Sequence, residues 1–332
     1  MDRIVIIGLG LIGTSLGLAI RQSMGKDVEV VGTDLETSHI ATAKKMGAID
    51  RDERNIPAAV QGADIVILAT PILAMRDLME FMVPYMSEGT VVTDVGSTKK
   101  DVVAWGEELL PAGVSFVGGH PMAGKETSGP KDADAAMLKG AVYAICPAPS
   151  ATEEATKSIV AIAQAIGAKP YFVDPVEHDS YIAAVSHLPF LLSVSLINTT
   201  TKSAGWREMS RLASSGFRDI SRLAAGDPVM HRDVAVTNRD AVVHWLDEFI
   251  KNLHSLRNLV KDDQEGLEKA LVDAWEGRAR WLINRDSEEP MIGEGVNASD
   301  QFMGMILGDT VASKFREMGD KGKEDPTRYR KS

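Results

Sequence analysis

Residue types and spacings suited to nucleotide binding and proton transfer gather in a few stretches of the chain. The first is Gly8-Leu9-Gly10-Leu11-Ile12-Gly13, entered from the apolar run Ile4-Val5-Ile6-Ile7 and followed by small and apolar residues at helical spacing. A buried strand, this glycine pattern and a helix together form a dinucleotide-binding turn. Gly8 permits the tight turn, Gly10 lets a pyrophosphate approach the backbone, and Gly13 lets helix and strand pack closely. Leu11 and Ile12 open the helix, where free N–H groups and the positive helix end face phosphate. Asp34 closes a second apolar run, 28–32, at the distance where a carboxylate takes the adenosine ribose hydroxyls. No arginine adjoins it to receive a 2′-phosphate, so the expected cofactor is NAD rather than NADP.

Thr70-Pro71, Ser97 and His120 each follow an apolar run that reads as a strand, which predicts that all three face one crevice at the carboxyl ends of a parallel sheet. His120 lies in Gly118-Gly119-His120-Pro121-Met122-Ala123-Gly124, where glycines admit a ligand to the backbone and Pro121 restrains the turn. Removing hydride from an alcohol carbon needs a base for the hydroxyl proton, and a histidine at a strand end suits that task. Ser97 reads either as a helix cap or as a hydroxyl beside the nicotinamide. Asp94 and Thr98 read as local caps of a helix starting near Lys99. Further on, His178-Asp179 and His187 lie nine residues apart near one helix without zinc-ligand spacing, as packing or as pocket residues. Arg218 and Arg222 share a helix face, either solvated or clamping a carboxylate, which guanidinium binds bidentately. No metal site is expected.

The elements that must position these residues follow from pattern. Strands alternate with helices up to Asp174, and long amphipathic runs such as 181–197, 234–260 and 264–282 follow. The expected fold is therefore an α/β Rossmann-type, doubly wound parallel sheet over residues 1–174. An all-α domain over 175–284 and a tail over 285–332 come after it. The 332 residues carry a net charge of −11, which argues against nucleic acid as partner. The lone Cys146 excludes an internal disulfide and reads as inert packing. No run is read as a membrane span, and the chain enters its first strand at once without a leader, so a cytoplasmic protein is expected.

Together, Gly8–Gly13, Thr93-Asp94-Val95-Gly96-Ser97, Gly119-His120-Pro121-Met122-Ala123-Gly124, Ser186-His187-Leu188-Pro189 and Gly216-Phe217-Arg218-Asp219 resemble the prephenate/arogenate dehydrogenase family of tyrosine biosynthesis. The resemblance implies NAD-dependent oxidative decarboxylation of prephenate, or of arogenate, by a homodimer joined through its helical domain. It assigns His120 as catalytic base and Ser97 as the residue orienting it. Arg218 grips a substrate carboxylate, His187 supports it, Glu126 guards the pocket mouth, and Gly124 lies with the substrate. His231 stands where the family often carries tryptophan, and the tail is read as too short for a regulatory ACT domain. A 3-hydroxyacid dehydrogenase or imine reductase would instead rely on a lysine in the helical domain. A catalytically silent NAD sensor would not need Ser97, His120 and Arg218 together.

Overall fold

The structure is a computed structural model that describes residues 2–284, so the tail expected over 285–332 lies outside the described residues. Eight strands form one sheet: β1 (Asp2–Ile7), β2 (Val28–Thr33), β3 (Arg51–Asp52), β4 (Ile65–Leu68), β5 (Val91–Asp94), β6 (Ser115–Pro121), β7 (Val142–Pro147) and β8 (Lys169–Phe172). Their order is β3-β2-β1-β4-β5-β6-β7-β8. The chain reverses its direction of winding between β1 and β4, and the crevice at such a switch point is where doubly wound sheets bind ligands.

Burial on both faces explains the strand composition. Along β1, Ile4 and Ile6 enter one core while Val5 and Ile7 enter the other, as alternating side chains must. Helices α1 (Leu11–Met24), α2 (Thr37–Met46), α3 (Ile56–Val60), α4 (Ile72–Met82), α5 (Lys100–Leu109) and α6 (Glu153–Ala165) connect the strands. Gly47 ends α2 in the left-handed conformation, as a C-terminal glycine should.

The sheet is parallel and doubly wound as expected, with one exception: β7 runs antiparallel to β6, pairing Ala144 with His120. A strand buried on both faces is apolar whichever way it runs, so composition is blind to its direction.

Beyond Asp174 the described chain is helical: α7 (Pro175–Ile182), a π turn (Ala183–His187), α8 (Leu188–Thr201), α9 (Trp206–Leu212), α10 (Ser215–Ser221), α11 (Pro228–Thr237), α12 (Arg239–Asp262) and α13 (Gln264–Asn284). The run expected as one helix over 234–260 is broken at Asn238, between α11 and α12. Residues 1–248 make up one compact unit, with Phe190 and Val234 entering the core that α4 and α5 cover. A second unit starts at Phe249 and contains the remainder of α12 and α13, with Ile250, Leu253 and Leu271 exposed.

The sequence shows no unbroken apolar run of membrane-spanning length, and one helix comes near it on average composition. The continuous helix Pro175–Thr201 is long and apolar enough to cross a membrane by length and composition, and only 28% of its apolar window is buried within the chain. Serines and histidines interrupt the apolar residues of this helix, so no unbroken run was visible although the average is high. Its polar groups are in use inside the protein: His178, Asp179 and His187 are buried, and the Ser193 hydroxyl donates to the Ile220 carbonyl.

Candidate active site

The nucleotide turn is built as its glycines require. Gly8 has φ +100°, and a side chain there would meet the Ala69 carbonyl oxygen at 2.4 Å; at Gly13 it would meet the Gly8 carbonyl oxygen at 1.9 Å. Gly10 differs, because a Cβ there would meet nothing within 4 Å. Gly10 is the N-cap of α1 and supplies no side-chain cap, so the N–H groups of the first turn, at Leu11 and Ile12, lack the usual local acceptor. An open cradle beneath uncapped N–H groups fits a pyrophosphate. Asp34 stands beside it and accepts from Leu9 N at 2.6 Å and Glu36 N at 2.8 Å, with His39 at 3.4 Å. These bonds hold the carboxylate at the turn with lone pairs remaining for ribose hydroxyls. The residues present therefore fit NAD.

The carboxyl ends of the parallel strands bring the remaining groups to the same edge. Thr70 and Pro71 follow β4, and Pro71 caps α4. Half-buried Ser97 follows β5, and His120 lies near the end of β6 at 7% exposure. Beneath them, Lys99 and Asp94 form a fully buried ion pair. The Asp94 carboxylate also accepts from Gly96 N at 2.8 Å and Gly119 N at 3.1 Å, tying the Ser97 loop to the strand that carries His120. Burial pushes the Asp94 carboxyl upward, and Lys99 with these N–H groups pulls it back.

Asp94 and Thr98 do not cap α5, contrary to the local reading. The first N–H groups of α5 are met by Asp179 of α7: Lys99 N donates to Oδ1 at 2.7 Å and Lys100 N to Oδ2 at 2.9 Å. Thr98 instead meets the Thr237 hydroxyl at 2.9 Å. Helix α4 is treated similarly, Leu73 N donating to Asp233 Oδ2 at 3.3 Å.

His120 Nδ1 lies 3.0 Å from His178 Nε2, with the rings edge to face. Burial, followed by the neighbouring His178, Lys99 and His187, drives the His120 ring well below the ordinary histidine range. It is therefore neutral at physiological pH and free to accept a proton. No hydrogen bond joins the Ser97 hydroxyl to His120 among the described residues.

His187 closes the π turn; such turns frequently mark functional sites. The Asn238 amide donates to its Nδ1 at 3.2 Å, which leaves the ring proton on Nε2. That buried nitrogen has the Ser97 backbone as its polar neighbour, at looser than ordinary hydrogen-bond geometry. Burial pushes His187 down to about 4, against an opposing pull from Asp179.

Glu126, on the loop after β6, is ion-paired with Arg222 of the segment following α10. Gly124 on the same loop is exposed, with open space around its α-carbon. Arg218 turns outward, its side chain 76% exposed and its partner the adjacent Asp219 at 3.2 Å. Of the two arginines, the structure thus brings Arg222 rather than Arg218 to the loop beyond His120. His231 stacks on Phe190 with ring centroids 4.1 Å apart. The Cys146 thiol is buried and pushed up to about 12, as an inert packing residue would be. His178 and Asp179 are functional candidates that spacing alone did not separate from packing; their adjacency to a strand-end histidine exists only in three dimensions. Among the described residues no cluster is suited to a metal ion.

The sequence matches the families described as Prephenate dehydrogenase, nucleotide-binding domain, over residues 16–172, and Prephenate dehydrogenase, dimerization domain, over 174–273. It is 34% identical over 270 residues to a protein named Prephenate dehydrogenase from Bacillus subtilis (strain 168), covering 80% of this chain and 72% of that one. The fold is similar to prephenate dehydrogenase from Aquifex aeolicus solved with hydroxyphenyl propionate and NAD+, at TM-score 0.78 and 28% identity, over 84% of this chain and 98% of that one. It is also similar to Synechocystis arogenate dehydrogenase, at TM-score 0.70 and 29% identity, over 84% and 99% of the two chains.

Proposed function

The chain belongs to the prephenate dehydrogenase family, and on that premise we propose that it oxidises and decarboxylates prephenate to 4-hydroxyphenylpyruvate with NAD+. The observation that carries the reading is His120: neutral, buried and held at the edge of the sheet where the glycine turn opens. NAD+, when bound, accepts hydride from the ring carbinol carbon. His120 draws the hydroxyl proton as the hydride leaves. The bond from ring to carboxylate then breaks, its electron pair makes the ring aromatic, and the proton returns to the ring oxygen as a phenol. Carbon dioxide is the other product, so atoms and charge balance. The protein supplies orientation, charge pairing and a base.

The roles of individual residues form part of the proposal. Gly8, Gly10, Gly13, Leu11, Ile12 and Asp34 hold the pyrophosphate and ribose, and Thr70 and Pro71 line the nicotinamide side. Ser97 orients the ring hydroxyl. His187 supports bound substrate from the buried end of the π turn. We assign the carboxylate clamp to the Arg218–Arg222 pair, Arg222 standing nearer the pocket through Glu126. Residues 1–174 serve the nucleotide and 175–284 the substrate and a second copy of the chain. The weak burial of Pro175–Thr201 supports coverage by that copy. A cytoplasmic location goes with this reading.

The test is NADH formation by purified protein with prephenate and arogenate supplied separately. Turnover of prephenate well above arogenate supports the proposal; the reverse transfers the same chemistry to arogenate, with tyrosine as product. His120→Asn should lower turnover by about 10²–10⁴-fold with NAD+ binding intact. Undiminished turnover removes His120 as the base.

A further inference from the structure

We propose that His178 and Asp179 are positioning residues that fix the tautomer of His120, so that its Nε2 lone pair faces the substrate hydroxyl. This rests on the reading of His120 as the base. The argument is one of proton bookkeeping along a buried chain. Asp179 is an acceptor, and His178 Nδ1 lies 2.8 Å from its Oδ1, so the His178 proton sits on Nδ1. His178 Nε2 must then accept. Among the described residues its hydrogen-bond partner is His120 Nδ1 at 3.0 Å, which must therefore be the donor. With its one ring proton on Nδ1, the neutral His120 imidazole keeps Nε2 bare.

The chain cannot easily run in reverse, because Asp179 is itself held. Its two oxygens take Lys99 N and Lys100 N, and its backbone carbonyl takes the Asn238 amide at 2.7 Å. His178 and Asp179 are each 3% exposed, so water is not available to substitute. The charged and titratable groups facing this pair of rings are few. His120 meets His178 and His187 from the helix that spans the π turn, and Lys99 from the loop ahead of α5. Lys99 is neutralised by Asp94, and His178 meets Asp179. As His120 gains a proton in the reaction, the nearest compensating charge along the chain is Asp179, two hydrogen bonds away. This is the logic by which a carboxylate orients a catalytic imidazole without taking its proton.

Two experiments test the inference. In ¹⁵N-histidine NMR of the full chain, His120 and His178 should both carry protons on Nδ1 and none on Nε2 at neutral pH. A protonated His120 Nε2 overturns it, and this measurement needs no variant. Steady-state kinetics with prephenate and NAD+ provides the second. His178→Leu, which removes the acceptor, should lower kcat about 10²-fold with NAD+ affinity changed less than about twofold. His178→Gln, which can place an acceptor oxygen at the Nε2 position, should recover kcat to within about tenfold of the parent. Asp179→Asn cannot accept from both Lys100 N and His178 Nδ1, and should shift the acid limb of kcat as well as lower it. His120→Asn is measured alongside. If it abolishes turnover while His178→Leu keeps the parental kcat and acid limb, the positioning role is overturned and the base stands. If His120→Asn itself keeps turnover, the base and the inference fall together.

Discussion

At the residue scale, burial decides the chemistry of the site. A solvated histidine is half-protonated near its ordinary pKa, but His120 is held well below that range by burial and by cationic or imidazole neighbours. The acid limb of kcat/KM should therefore lie below the ordinary histidine value of about 6.5. A pH–rate profile with a limb at or above that value would show that another group limits activity. The two arginines separate in the same way. Arg222 is paired with Glu126, whereas Arg218 points outward. A charge-assisted hydrogen bond contributes about 1.5–3 kcal/mol, so Arg222→Ala should raise KM for prephenate about 10–100-fold with kcat little changed. Arg218→Ala should have the smaller effect, and equal effects would mean that both guanidinium groups reach the substrate. Sequence spacing put both on one helix face, but a helix face does not say which arginine meets a loop ninety-odd residues earlier in the chain.

At the scale of elements, the nucleotide turn depends on the absence of side chains. Gly13→Ala would push a methyl into the Gly8 carbonyl, so loss of NAD+ binding is expected, measurable by quenching of intrinsic fluorescence. Asp233→Ala removes the acceptor for Leu73 N at the start of α4 and should cost about 1 kcal/mol in denaturant unfolding, the usual value of an N-cap. The turn and its flanking strand and helix were legible in the sequence because each signal is local: a run of β-branched residues, glycines at fixed offsets, a carboxylate after the next strand. Asp179 as the cap of α5 was not legible, because its helix lies some 80 residues further along and nearer candidates existed in Asp94 and Thr98. Nor was the π turn, whose extra residue leaves hydrophobic spacing nearly unchanged while placing His187 at its end. The two-residue β3 was too short for periodicity to register.

At the scale of the whole molecule, acid and self-association are the expected levers. His187 is pushed from 6.5 to about 4 in the fold, so the unfolded chain binds more protons between those values. Stability present above pH 6.5 should thus be lost as pH falls towards 4, by roughly 3 kcal/mol from this group, and His120 acts in the same direction. Chemical denaturation at pH 7 and 4.5 measures it; equal stability would place water or a counter-charge beside the ring. Leu253 and Leu271 expose apolar side chains on α12 and α13, within the region matched by the dimerization-domain family. Glutamate at both positions should move sedimentation towards the monomer.

The aspartates that close α4 and α5 come from helices more than 70 residues downstream. Neither Asp179 nor Asp233 can withdraw without leaving helix-end N–H groups bare in the interior, so residues 175–237 cannot swing away as a free lobe. Breathing motions across this contact should be suppressed, and the chain up to Glu248 should melt in one cooperative step. Saturating NAD+ should then slow amide exchange in α7 and α11 as well as around the glycine turn, although no atom of either helix belongs to the nucleotide cradle.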